Sequence, residues 1–390
     1  MSSFVQTTCA TEKHRDVLVS PVVSSFETDC ATEKPSGDVD DTTDAQQLIE
    51  LPADGAQGKY WCSYSECECL LWLRVSGVYA ASVLASGVLW VWPVVQPYFE
   101  AEGVYAEYCN AERRNDTADR SFGGSCEAQD MMLSQLYLVT TNLLLVATWP
   151  IGLFFDAFGA RLTAAWGSLF CCLGGVLLVL TVYSPSVATS LLLPGLILFD
   201  FGSTMNSFGL YGFLWHFHDK QGLLSGLANS TYSVSCMVPL ALLQWFDLEL
   251  TLLLSVGLSV CALVLCLLLV PTSAEYFNQA ERILGQPFEK PSVSPSATIH
   301  SCFRVSRVFQ ANTLDNTLFS VSFLFMMASG QYYYAVLWPF LKRLLHSESA
   351  ATMVSTAGTT VYGVLGFFLA PVIGYVSDIT GMRGLVYLAG

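Results

Sequence analysis

From residue 74 onward, long apolar stretches alternate with short polar ones, and this alternation dominates the chain. A helix that crosses a bilayer needs roughly 20 predominantly apolar residues. On that measure the pattern predicts spans over 74–98, 132–155, 162–183, 187–210, 222–245, 251–270, 317–340 and 352–376, and a ninth that starts at Leu385. Short connections join the second to the sixth span. A longer polar segment, 271–316, carries Pro271, Pro287, Pro291 and Pro295 and separates the sixth from the seventh. The expected architecture is all-α and polytopic. Residues 1–69 are an acidic, disordered cytosolic tail; 70–270 are an N-terminal lobe of six helices; 271–316 are a cytosolic linker; 317–390 are part of a C-terminal lobe, comprising helices seven, eight and the start of nine.

Composition agrees with that pattern. Hydrophobic residues make up 53% of the 390 and charged residues only 13%, against about 25% charged in a soluble domain. The net charge of −15 does not mark a cationic partner, because residues 1–69 hold 13 acids against four Lys or Arg. No basic, aromatic-interleaved stretch suggests nucleic acid. The N-terminus lacks a basic run leading into a short apolar core, so the first span is expected to direct insertion. Many of the 13 cysteines fall inside apolar spans, including Cys171, Cys172, Cys236, Cys261 and Cys266, where thiols act as small hydrophobes.

Sidedness follows from the connections. Seven Lys or Arg fall on the side shared by loops 2–3, 4–5, 6–7 and 8–9, against five on the other, which puts that side in the cytosol. The 99–131 loop is acidic and contains Asn115-Asp116-Thr117, a glycosylation acceptor when exposed to the lumen or exterior. Cys109 and Cys126 in the same loop could pair on that oxidising side.

A repeated motif makes the reading specific. Pro150-Ile-Gly152-Leu-Phe-Phe-Asp156-Ala-Phe-Gly159-Ala-Arg161 closes the second span, and Pro371-Val-Ile-Gly374-Tyr-Val-Ser-Asp378-Ile-Thr-Gly381-Met-Arg383 closes the eighth. Both read Gly-x-x-x-Asp-x-x-Gly-x-Arg, with all four residues repeated at an offset of 222. A chance match at a given position is on the order of one in 10⁵. The chemistry suits a gate. Gly152 and Gly374 would let a helix approach a neighbour closely, and Gly159 and Gly381 would permit the tight turn. Asp156, Arg161, Asp378 and Arg383 could pair with one another or with helix ends in one state and let go in another.

The motif resembles the signature loop of the major facilitator superfamily, where it follows the second and eighth of twelve helices. Gly87-Val-Leu-Trp-Val-Trp-Pro93, then Glu102-Gly103-Val-Tyr105 and Cys109, resemble the system-L-type large neutral amino acid transporters of that superfamily. So do the Pro150–Arg161 segment and Pro371-Val-Ile-Gly374-Tyr. The resemblance implies the major facilitator fold, alternating access between two lobes, and branched or aromatic amino acids moved by facilitated diffusion. Asp200 departs from the family's pattern. On a twelve-helix plan the chain is expected to be a fragment or a truncated product.

In such an architecture the solute sits near the bilayer midplane between the lobes. Asp200 lies well inside the fourth span, where a charge costs about 2.5–3.5 kcal/mol on insertion scales and faces a cavity or a partner. It is a candidate for a substrate ammonium or a coupling proton, or for a structural hydrogen bond. Ser203, Thr204 and Ser207 follow on the same helical face. Asn229, Tyr232 and Ser233 in the fifth span, and Gln331 with Tyr332, Tyr333 and Tyr334 in the seventh, could bind a carboxylate and an apolar side chain; equally, they could hold helices together.

His216 and His218 are two apart, which does not put them on one helix face, and Cys62, Cys67 and Cys69 lack a fourth ligand. No metal or cofactor is expected. Asp44, Leu48 and Ile49 form an acidic dileucine pattern that could engage a sorting adaptor, so the plasma membrane or an endolysosomal membrane of a eukaryote is the expected location. No nucleophile–base pair, phosphate loop or metal cluster suggests an enzyme. The leading expectation is transport of a small organic solute, with an amino acid first among the cargoes; the alternatives are a sugar, organic anion or other metabolite, or a non-transporting membrane sensor or interaction protein.

Overall fold

The structure, a computed structural model, describes residues 64–87, 91–109, 126–185, 189–284 and 313–381. Asn115, Arg383, the start of the ninth span and the Asp44-Leu48-Ile49 pattern lie outside these residues. The described residues are helical, with no strand among them, and seven helical segments are long and apolar enough to cross a membrane: Glu68–Ala85, Glu127–Phe158, Ala160–Tyr183, Thr189–Phe213, His218–Leu243, Leu248–Leu269 and Glu348–Thr380. The chain is thus a multi-pass membrane protein, all-helical over its described residues. Its surface is rich in exposed Leu, Val, Phe and Trp, such as Leu268, Val146 and Phe368, as lipid-facing helices require.

The first span differs from expectation. The pattern over 74–98 suggests one continuous helix, but α1 (Tyr64–Ala85) stops and α2 (Trp92–Ala101) starts afresh. Pro93, at the start of α2, would clash with the carbonyl four residues back in an unbroken helix. Gly87 before it has φ +118°, and a Cβ there would overlap the Ser235 carbonyl. The fifth span is interrupted at that same contact: α6 (Gln221–Ser235) gives way to α7 (Met237–Leu243) at Cys236.

The remaining predicted spans appear as α3 (Glu127–Phe158), α4 (Ala160–Tyr183), α5 (Leu192–Ser207, continued as a 3₁₀ stretch over Phe208–Phe213) and α8 (Leu248–Leu269). They are followed by α10 (Thr313–Leu345) and α11 (Glu348–Thr380). At 33 residues, α10 is about 50 Å long. It is nonetheless absent from the seven most apolar segments, because Ser329, Gln331 and three successive tyrosines dilute it. Within the segment expected to be a polar linker, Ser273–Leu284 forms an amphipathic helix, α9. Its Tyr276, Phe277 and Ala280 are buried, with Tyr276 edge-on to Phe155 of α3.

Small residues set the packing. Gly167, Gly174, Gly195 and Gly202 bring the backbones of α4 and α5 together, where any Cβ would crowd the facing helix. The same device joins α6 to α11 through Gly222, Gly226 and Gly374. Close approach of this kind replaces the hydrophobic drive that helices lack in lipid.

Candidate functional site

The described residues of both copies of the repeated motif lie at one end of the bundle. Gly159, which follows α3, packs against Ser273 at the start of α9, and Asp378, near the end of α11, meets Gly222 at the start of α6. The stretch between α5 and α6 joins these regions: Gly212 packs on Ala160 and Pro271, and His216 lies 3.5 Å from Glu275. Gly159 and Gly381 have φ +82° and +67°, so both carry the turn as their spacing suggests.

The charged residues hold helix ends. Asp378 accepts two backbone hydrogen bonds, from Gly222 N at 2.7 Å and Leu223 N at 2.8 Å, and sits where the first N–H groups of α6 point and the helix dipole favours an anion. Arg161 Nε donates to the Val270 carbonyl at 2.7 Å, at the C-terminus of α8, where a cation is favoured. The two glycines within the helices part company. A Cβ on Gly374 would overlap the Gly222 carbonyl, but one on Gly152 would meet nothing within 4 Å among the described residues. The expected close approach is thus present at Gly374 and lacking at Gly152.

The same end carries a further lock. Arg74 Nη1 and Nη2 bond both Glu275 oxygens at 2.8 and 3.2 Å, and its Nε bonds Leu269 O at 2.9 Å. Burial pushes the Glu275 carboxyl up, but the Arg74 hydrogen bonds and charge outweigh it and leave it below its ordinary value. Burial lowers His216. Among the described residues no three His, Cys, Asp or Glu side chains come together as metal ligands.

At mid-depth lies a group of polar residues. Asp200, in α5, is 3% exposed, and its Oδ2 and the Ser203 Oγ have no hydrogen-bond partner among the described residues. Ser207 Oγ and Tyr232 OH are 2.7 Å apart. Tyr137 of α3, within electrostatic reach of Asp200, Tyr334 and Tyr362, donates its hydroxyl to Gln331 Oε1 of α10 at 2.6 Å. Trp92, just past the break in the first span, stacks on Tyr137 with ring centroids 5.5 Å apart. Asp200, Ser203, Tyr232 and Gln331 therefore belong to one region.

Three candidates do not join it. Tyr332 and Tyr333 are 61% and 58% exposed, because the inward face of α10 is the one carrying Gln331, Ala335 and Trp338; of the three tyrosines it is Tyr334, in edge contact with Tyr362, that turns toward the region. Asn229 is exposed on α6. Sequence reasoning also passed over Trp92, Tyr137 and Trp338. The last could have been found from its spacing of seven after Gln331, and Trp92 from its place beside Pro93; Tyr137 had no local signal.

The opposite end is tied by a disulfide between Cys109 and Cys126, the pairing that the acidic loop suggested. Gln129 Nε2 donates to Glu100 O and Val104 O, fixing the loop to the start of α3. Lys342 near the end of α10 lies 3.4 Å from Glu348, 3.5 Å from Asp130 and 4.0 Å from Glu100.

No family model matches the chain. Large neutral amino acids transporter small subunit 3 of Mus musculus is 30% identical to it over 92 residues, which cover 23% of this chain and 16% of the mouse protein.

Proposed function

We propose that this protein is a transporter of the major facilitator type that moves amino acids by alternating access, with the end bearing the two turns in the cytosol. The observation that carries the reading is the repeated turn: two copies lie at one end of the bundle, and Asp378 and Arg161 each grip the end of another helix through backbone groups. Such grips are breakable contacts between rigid elements, the kind that bias a two-state rocking. In this reading α1 to α8 form one lobe and α10 and α11 belong to the other. The Tyr137–Gln331 hydrogen bond then crosses between lobes at the depth of a cargo site.

Asp200 gives the cargo its charge. A buried carboxylate with an oxygen to spare, beside the Ser203 hydroxyl, suits an ammonium, while Trp92, Tyr137 and Tyr334 offer apolar faces to a side chain. The name of the mouse relative points the same way. The test is uptake of labelled leucine, phenylalanine, a hexose and a dicarboxylate by a transport-deficient host expressing the protein at its surface. Amino acids should enter and the others should not. Asp200→Asn should weaken amino acid uptake by on the order of tenfold, since a hydrogen bond to a charged group contributes about 1.5–3 kcal/mol. Equal uptake by the variant would remove Asp200 from the site, and hexose or dicarboxylate uptake would replace the cargo.

A further inference from the structure

The end bearing the disulfide contains a charge arrangement that neither the turns nor the mid-depth region uses. Glu100, past the predicted end of the first span, has a side chain only 5% exposed, and that of Asp130 is 13% exposed. The two carboxyls face each other within hydrogen-bonding reach. Gln96 Nε2 donates to Glu100 Oε1 at 2.9 Å and Trp338 Nε1 to Glu100 Oε2 at 3.2 Å. Asp130 Oδ1 is buried without a hydrogen-bond partner among the described residues, so this carboxyl has an acceptor to spare. A single ammonium, Lys342, serves Glu100, Asp130 and Glu348 together.

Two facing carboxylates with little access to water cannot both ionise cheaply. Among the described residues one Lys faces three acids, which it cannot balance, and the neighbouring Arg343 is already paired with Glu127. A proton between Glu100 and Asp130 resolves both problems, converting a repulsion into a charge-assisted hydrogen bond. A route for that proton exists. A cavity of about 180 Å³ is lined by Asp130, Lys342, His346 and Glu348.

We propose that the Glu100–Asp130 pair is a proton-binding site that holds this end shut: one proton is taken up when α10 and α11 close on α2 and α3, and given back when they part. Among the described residues, the groups that could share the role are Glu100 on α2, Glu127 and Asp130 on α3, Lys342 and Arg343 on α10, His346 in the turn and Glu348 on α11. Glu102 and Glu107 in the loop after α2, and Asp247 and Glu249 at the start of α8, are exposed.

The sign follows from the closed geometry. Burial first, then the Asp130 charge, raises Glu100 from 4.5 to about 8, with Lys342 and Gln96 opposing. Parted, the carboxyl returns to water and to its ordinary value. The closed end is therefore most favoured below about 4.5 and loses that advantage as pH rises through about 8.

The inference rests on the rocking reading only in needing the helices to separate; its test reads protons and not cargo. Hydrogen exchange of the full chain in lipid nanodiscs, corrected for the intrinsic effect of pH, would follow segments 92–104 and 338–350 from pH 5 to pH 9, with segment 167–178 of α4, packed on α5 within one lobe, as reference. Protection of the first two should fall as pH rises, while the reference stays level. Glu100→Gln, whose amide donates where the proton did, should hold them protected at every pH. Lys342→Gln should move the wild-type fall upward by about one pH unit or more, and this variant decides the matter if Glu100→Gln does not fold. His346→Gln should leave the fall in place. A flat wild-type profile, an unchanged profile in Glu100→Gln, no shift in Lys342→Gln, or abolition by His346→Gln would each overturn the proposal. Failure of uptake with a normal exchange profile would instead count against the transport reading alone.

Discussion

At the end of α11, Gly374 presses its backbone against Gly222 of α6 and Asp378 takes the first N–H groups of the same helix. At the end of α3, the corresponding Gly152 has open space among the described residues where a Cβ would go, and Asp156 lies near Tyr276 of α9. The same four-residue pattern thus produces the same turn in two different settings. What the motif specifies by itself is local: a glycine at positive φ and a helix that stops before it. Close approach depends on which helix stands opposite, and that is a property of the tertiary arrangement.

The largest expected consequence is at the glycines. Gly374→Ala drives a methyl into the Gly222 carbonyl, a backbone atom that cannot rotate away, so α6 and α11 must separate. Overpacking of this kind costs about 1–3 kcal/mol, and the melting temperature in detergent should drop accordingly. Gly152→Ala should do nothing of the sort; Ala favours helix over Gly by about 1 kcal/mol, so a neutral or slightly stabilised protein is expected. Equal losses at the two positions would show that Gly152 is also crowded in the working protein.

Asp378→Asn should come next, at about 2 kcal/mol. The amide keeps the shape and one acceptor, but it turns an NH₂ toward a backbone N–H and discards the favourable charge at a helix start. A melting temperature within experimental error of the parent would mean that the hydrogen bonds to Gly222 and Leu223 are exchanged for water at no loss.

These expectations separate what the chain discloses from what it hides. The spans are legible because lipid imposes length and apolarity on each one separately, and apart from α1, which starts ten residues before its predicted span, the helices run only a turn or so past the predicted limits. The turn glycines are legible for the same local reason. The break at Gly87 and Pro93 was overlooked because the apolar run continues across it, although a proline inside a predicted helix already argues for an interruption. At the candidate site, Asp200 stands out as a charge inside an apolar run. Tyr137 does not: its place follows from the meeting of α3, α5 and α10, which no window along the sequence contains. Three tyrosines in a row leave the helical phase undecided until Gln331 and Trp338 fix it and turn Tyr334 inward.

The smallest effect is expected where the first turn is tied twice. Arg161 Nε bonds the Val270 carbonyl, and Ser273 Oγ donates to Phe158 O at 2.6 Å; both join the α3–α4 turn to the α8–α9 junction. Either bond alone keeps that junction in register. Arg161→Gln or Ser273→Ala should each cost only about 1 kcal/mol, the usual net worth of one hydrogen bond at a partly solvated rim. Together they should cost more than the sum of the two, because the second removal takes the last tether. At the second turn the bonds to Gly222 N and Leu223 N both end on the single Asp378 carboxylate. A double-mutant cycle by thermal unfolding in detergent tests the difference. Strict additivity of Arg161→Gln and Ser273→Ala would mean that the two ties act on separate movements, and the first turn would hold no reserve.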